Sequence, residues 1–344
     1  MVRLKDIAAV AGVSVMTVSK VMHDAPDISA ATKSRVRALA EQMGYIPDTA
    51  AQGLRSRTSR MFGLIIPAMT NPIFARVVMA IEQQAHELGY EILLGHSLNN
   101  PDREEKCIRR LLCRRIDGLF IVPVYRQAAT APIYDELLQR AVPTVILGQR
   151  APFCGKFVSV ETDDVAASMA LTRHLVELGH RRIAFFCGPQ FNPWAAERFE
   201  GYRRALREAR LELDDRLVFN AGSTIEEGTT ATLEMLNESV RPTAIIAVND
   251  LVAIGAGSVL LNQGVKIPED ISLVGFGNVL TSEYFRVPLT TVRQPKLRLG
   301  TAAVESMTRL MRGERPVPKR LPAEIVVRAS TAPPPPPTVL SGRK

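Results

Sequence analysis

The spacing of apolar residues divides the chain in two. Over residues 3–43 they recur at intervals of three and four, the period of an amphipathic helix. Leu4, Ile7 and Ala8 share one face; Val18, Val21 and Met22 share a second. Gly12 lies between them, where the backbone must turn and glycine does so at little cost. Ser14 is placed to cap the second helix, its hydroxyl accepting from an otherwise unpaired backbone N–H. A third helix is predicted over 30–43, capped by Ser29 and stopped at Gly44, with an apolar stripe of Val36, Leu39, Ala40 and Met43. The second helix then has a packed back and a free front carrying Val15, Met16, Ser19 and Lys20. A helix-turn-helix offers such a front to the major groove; the plainer alternative is any two-helix surface corner.

From Gly63 onward the period changes. Short apolar runs at 63–67, 91–94, 118–122 and 144–147 read as buried strands, with helices predicted over 73–88, 102–114 and 133–140. The same rhythm restarts after about Ser159. Helices are predicted over 164–178, 195–209, 224–236 and 250–262, and strands over 183–186, 217–219, 244–247 and 272–274. Strands apolar on both faces, alternating with amphipathic helices, imply parallel sheets covered on both sides. A strand at 290–292 and a helix over 297–312 follow. The last residues, TAPPPPPTVLSGRK, carry no core pattern and read as a disordered extension. The expected organisation is a small all-α helix-turn-helix domain (1–46), a hinge or linker (47–60), a two-lobed α/β domain of parallel sheets (61–330) and a tail (331–344).

Charge sharpens this division. The net formal charge of the 344 residues is +8. Residues 1–60 hold nine lysines and arginines against five acids, so half of that excess falls in the first 60 residues. Basic density beside a free helix front suits a phosphate backbone. No apolar run approaches the roughly 20 residues needed to span a bilayer, and the N-terminus shows no signal-peptide core, so we expect a cytoplasmic chain without membrane contact. Cys107, Cys113, Cys154 and Cys187 have no zinc or C-x-x-C spacing and read as free thiols. Dinucleotide, P-loop, nucleophile-elbow and zincin motifs are all missing; Gly275-Phe276-Gly277 lacks the third glycine. Catalysis therefore has no support, and neither a cofactor nor a metal is implied. His180 in LGHRR reads as a structural turn residue.

Three stretches carry a more specific signal: LKDIAAVAGVSVMTVSKVM from Leu4, ATKSRVRALAEQMGYIP from Ala31 and AAQGLRSRTS from Ala50. In residues and in spacing they resemble the LacI/GalR family of bacterial repressors, and the resemblance continues to about Ala332. It implies a homodimeric regulator that binds double-stranded operator DNA and whose affinity is set by a small-molecule effector between two lobes. It places Val15, Met16 and Lys20 at base-reading positions and Thr17 and Ser19 at phosphate positions. Leu54 matches a hinge leucine that the family wedges into the minor groove, where an apolar insertion kinks the duplex. Asp48 and Gly53 depart from the family's hinge, and the alternative for residues 48–60 is a plain linker. The family's late segment, here 290–312, returns to the first lobe. The tail lacks the leucine heptads that make some members tetramers.

Ligands of such folds lie between lobes, at the carboxyl ends of strands. Ile73, Phe74, Trp194, Arg198, Ser223, Asn249 and Asn278 fall at those ends, and the resemblance assigns Arg198 and Asn249 to the effector. Core packing is the alternative for Phe74 and Trp194, and a structural salt bridge for Arg198. Many relatives carry aspartate at the position of Gly277. Its absence removes an acceptor for hydroxyls, so the expected effector includes a phosphorylated or acidic metabolite held by Arg198 as well as a sugar. Two further readings are a regulator controlled by a partner protein and, from another class, a sugar- or nucleotide-handling enzyme.

Overall fold

The computed structural model describes residues 2–46 and 58–336. Leu54, Gly53 and Asp48 of the expected hinge lie outside the described residues, as does the tail from 337. The chain separates into two units, Met1–Ser59 and Arg60–Lys344.

In the first unit, α1 (Leu4–Ala11), α2 (Val15–Met22) and α3 (Ala30–Gln42) form where the apolar period places them. Asp6 accepts from the backbone N–H of Arg3 at 2.8 Å and fixes the start of α1. Gly12 takes the left-handed turn (φ 65°) that ends it. Ser14 and Ser29 cap the next two helices, accepting from Thr17 N at 3.0 Å and Thr32 N at 3.3 Å. Ile7, Val18, Val21 and Val36 are fully buried where the three helices meet. Each such side chain stabilises the unit by roughly 1.5–3 kcal/mol.

The second unit opens with β1 (Met61–Ile66), α4 (Pro72–Glu87), β2 (Glu91–His96), α5 (Pro101–Cys113), β3 (Gly118–Ile121), α6 (Pro132–Gln139), β4 (Thr144–Leu147) and β5 (Val158–Thr162). It continues with α7 (Asp164–Glu177), β6 (Ile183–Cys187), α8 (Pro193–Glu208), β7 (Val218–Asn220), α9 (Ile225–Asn237), β8 (Ala244–Ala247), α10 (Asp250–Asn262), β9 (Ser272–Gly277) and α11 (Leu280–Tyr284). Last come β10 (Thr290–Arg293), α12 (Lys296–Met311), β11 (Lys319–Leu321) and β12 (Glu324–Val326). Two six-stranded sheets result, in the orders β11-β5-β4-β3-β1-β2 and β12-β10-β9-β8-β6-β7. All pairings are parallel except β10 with β12.

Strand alternation builds a core on each face. Leu64 of β1 registers with Leu94 and Phe120, Phe120 with Val145, and Val145 with Val158. Leu64, Phe120, Val145 and Val158 pack with Val77 and Ile81 of α4, while neighbouring Ile65 faces Ile108 and Leu111 of α5. In the second lobe Phe186 packs toward α9 and α10, and Phe185 toward α7 and α8.

The structure corrects three expectations. First, the expected elements include no strand over 158–162, yet β5 forms there and pairs with β4, carrying the first sheet up to the start of α7. Second, the strand 290–293 stays in the second sheet beside β9. Only α12 and β11 return to the first lobe: Ala303 and Met307 join the cluster of Leu64, and β11 pairs with β5. The chain therefore passes between lobes three times, at Asp163, at 294–295 and at 322–323. Third, the start of the tail is tied down at Ala332. His180, 1% exposed, shares hydrogen bonds with Thr243 Oγ1 (2.9 Å), Ser272 Oγ (3.1 Å) and the carbonyl of Ala332 (2.9 Å). A buried imidazole satisfied in this way holds the segment at Ala332 against the second lobe, and burial holds its pKa below the usual histidine value.

Candidate functional site

The front of α2 is apolar at its tip and polar along its side. Val15 is 46% and Met16 70% exposed, while Val18 and Val21 behind them are fully buried. Thr17 shares a hydrogen bond with Ser14 at 2.9 Å, and the carbonyl of Ser19 pairs with His23 Nδ1 at 2.6 Å. Lys20 is ion-paired with Asp27, a partner the linear pattern did not reveal because a loop brings it back. The Lys20 hydrogen bond holds the Asp27 carboxyl below the usual carboxylate range. Lysine can trade that carboxylate for a base-edge or phosphate oxygen.

A cleft of about 550 Å³ opens between the two lobes at the carboxyl ends of the strands. Its wall includes Ile73, Phe74, Trp194, Arg198, Ser223 and Asn249, six of the seven residues singled out from sequence. Asn71 Oδ1 caps α4 by accepting from Ile73 N at 3.2 Å, which sets Ile73 and Phe74 at the rim. Asn249 caps α10 through Val252 N (2.8 Å) and donates to the Ser223 carbonyl (2.9 Å), so most of its amide is already committed. Asn278 is a correction. It lies outside the cleft wall, its Oδ1 accepting from Arg328 at 2.8 Å and its carbonyl from Lys296 at 2.9 Å. Two successive positive-φ residues, Gly277 (138°) and Asn278 (49°), turn that side chain away.

Arg198 is only 5% exposed. Its Nη1 donates to the Val248 carbonyl at 2.7 Å and its Nη2 to Asp164 Oδ1 at 3.2 Å. Its Cζ lies 3.7 Å from the Phe276 ring centroid and 4.7 Å from that of Trp194. Nε alone lacks a protein acceptor. Burial pushes the Asp164 carboxyl up, and the Arg198 guanidinium opposes that push. Two of its five N–H groups are thus committed, so the structural salt bridge is present at a residue that also lines the cleft.

Sequence reasoning also missed much of the polar wall. Glu161, Asp164, Glu227 and Asp250 bring four carboxylates, against the two cations Arg198 and Lys296. Asp250 takes three donors, Thr291 Oγ1, Val279 N (2.8 Å) and Ser282 Oγ (2.7 Å). Glu227 accepts from Ser223 N and Thr224 N at 2.7 and 2.9 Å in a capping box that was legible as T-x-x-E. Gln294 donates to Thr162 at 3.1 Å and leaves its Oε1 buried without a donor. The cross-lobe pairs Gln149–Asp164 (2.7 Å) and Arg320–Glu197 (2.5 Å) lie beside the first crossing. Burial lifts Glu197 to about 7 despite Arg320. Among the described residues no His, Cys, Asp or Glu group could hold a metal ion, and no helix is long and apolar enough to cross a membrane.

A helix-turn-helix unit joined to a two-lobed α/β unit with a ligand-sized cleft defines a DNA-binding transcriptional regulator with an effector domain. Residues 3–48 match the model for bacterial regulatory proteins of the lacI family, and residues 172–331 match a periplasmic binding protein-like domain. The chain belongs to the lacI family, and it is a regulator of the repressor type, not an enzyme. It is 31% identical over 330 residues to the HTH-type transcriptional regulator DegA of Bacillus subtilis (strain 168), covering 95% of this chain and 97% of that protein. It is 33% identical over 320 residues to the regulator GalR of Escherichia coli (strain K12), covering 93% and 92%. Among solved structures, the lac repressor dimer bound to operator and the anti-inducer ONPF superposes with a TM-score of 0.86 at 28% identity, covering 96% of this chain and 99% of that one. A CelR–cellobiose complex superposes with a TM-score of 0.72, also at 28% identity, covering 96% and 100%.

Proposed function

We propose that this regulator acts as a cytoplasmic homodimer whose operator affinity is set by an uncharged, polyhydroxylated ligand in the inter-lobe cleft. The carrying observation is the cleft wall: four carboxylates and the buried Gln294 Oε1 are acceptors for hydroxyls, against two cations, of which Arg198 already donates to Val248 and Asp164. Phe74 and Trp194 supply apolar area beside them, the usual mix for a small-molecule site. A phosphate or carboxylate would face a wall that is acidic on balance. Cellobiose in CelR is an uncharged ligand of this kind in a fold of the same type.

On the DNA side, Val15 and Met16 make apolar contact, Lys20 donates to a base edge, and Thr17 and Ser19 meet phosphate. Leu54 serves as the minor-groove wedge. Exposed Leu94 on the edge strand β2, Leu98 beyond it and Leu233 on α9 supply apolar surface for a second copy; the lac repressor, of the same fold, is a dimer. Ligand binding redistributes the two lobes and through them operator affinity.

The test is a thermal-shift screen of neutral hexoses, disaccharides and nucleosides against their phosphorylated forms. Hits are then tested for their effect on binding to an operator selected from random DNA. Stabilisation by phosphorylated forms alone would sink the proposal, as would neutral hits that leave operator binding unchanged.

A further inference from the structure

Lys296 is the one buried lysine among the described residues, 6% exposed on the cleft wall at the start of α12. Lysines are seldom buried unless paired with an acid. Here no carboxylate lies within salt-bridge distance. Its Nζ donates instead to two backbone carbonyls, those of Gly277 and of Asn278.

Two acceptors match the two hydrogens of a neutral amine. In that form both N–H groups are satisfied and the nitrogen lone pair points away from both carbonyls. In the ammonium form a third N–H has no protein acceptor, and a buried unpaired charge is costly. The surroundings agree with this count. Burial brings the amine down to about 8, with Arg76 and Arg293 pushing the same way and Asp250 opposing. At pH 7 about a tenth of such an amine is neutral, against well under a thousandth for an ordinary lysine. Desolvated lysines of this kind are carbonyl nucleophiles.

We propose that Lys296 is a covalent docking point for aldehydes in the cleft, including the open-chain form of an aldose, held as a reversible imine. This rests on the reading of the cleft as an effector site. The neutral nitrogen attacks the aldehyde carbon to give a carbinolamine. Both amine hydrogens then leave with the carbonyl oxygen as water, and a C=N bond remains. No oxidant or reductant takes part. On protonation the iminium keeps one N–H for one of the two carbonyls. Small ligands with a free aldehyde would thereby be distinguished from glycosides, which have none.

The test uses the full-length protein with glycolaldehyde and cyanoborohydride, which reduces the imine irreversibly, followed by digestion and mass spectrometry. Lys296 should label at least about tenfold faster at pH 7 than exposed Lys106, Lys156 and Lys266, with a rate inflection near pH 8. Lys296→Arg, which can still donate to both carbonyls, should remove the fast phase and leave the slow surface labelling. Labelling that follows exposure, or an inflection shared with the surface lysines, overturns the proposal. Thermal stabilisation by methyl glucoside and sucrose, which cannot form imines, is measured in parallel. Such stabilisation beside an unlabelled Lys296 overturns the imine and leaves the effector reading standing.

Discussion

Arg198 Nη2 donates to Asp164 Oδ1 at 3.2 Å, and both groups are almost wholly buried. The pair joins α8 to the start of α7, beside the first crossing between lobes. Replacing Arg198 by methionine leaves the Asp164 carboxylate with Gln149 as its remaining hydrogen-bond partner. We expect a loss of about 3–5 kcal/mol in denaturant unfolding, since an abandoned buried charge costs that much. Adding Asp164→Asn should recover part of it. A loss below about 1 kcal/mol for Arg198→Met would show that the pair is not what holds this corner.

Gly277 carries the backbone at φ 138°, and a Cβ there would lie 3.3 Å from Ile73 Cδ1 across the cleft. Gly277→Ala should therefore destabilise by about 1–3 kcal/mol through backbone strain. Adding Ile73→Val relieves the contact but not the strain, so most of the loss should persist. Complete recovery in the double variant would place the whole cost in the contact.

Glu197 is raised to about 7, above its ordinary 4.5, chiefly by burial. The folded state therefore binds a proton that the unfolded state releases between those values. Stability from this group is fully present below about 4.5 and is lost as pH rises through about 7. Unfolding free energy should show this downward contribution from pH 5 to 7.5, and Glu197→Gln should remove it. Superimposable pH profiles for the two proteins would contradict the assignment.

Lys20→Ala should weaken binding at one base pair per half-site, by roughly 1–3 kcal/mol, and relax selectivity there. Equal losses on selected and random DNA would make Lys20 a phosphate contact instead. Asp27→Asn provides a control, freeing Lys20 without removing it.

Much of this was open to inspection before any coordinates. Helix period, serine caps and Gly12 determined the first unit, because short-range spacing decides which face a helix buries. Alternating apolar strands and amphipathic helices determined two parallel α/β lobes, and hence a cleft at the strand ends containing Ile73, Phe74, Trp194, Arg198, Ser223 and Asn249. What only the tertiary structure decided is what those side chains are free to do. Arg198 gave one N–H to Asp164 and one to the Val248 carbonyl, Asn249 put its amide oxygen into a helix cap and an N–H onto Ser223, and Asn278 turned outward on a positive-φ pair. Lys296 entered the wall although nothing in its linear surroundings marks it. Strand β10 stayed in the second sheet while α12 left it, because pairing partners lie far along the chain. Local periodicity is written in neighbouring residues; hydrogen-bond commitment and burial depend on groups from 18 to 152 positions apart, and those distances close only when the chain folds.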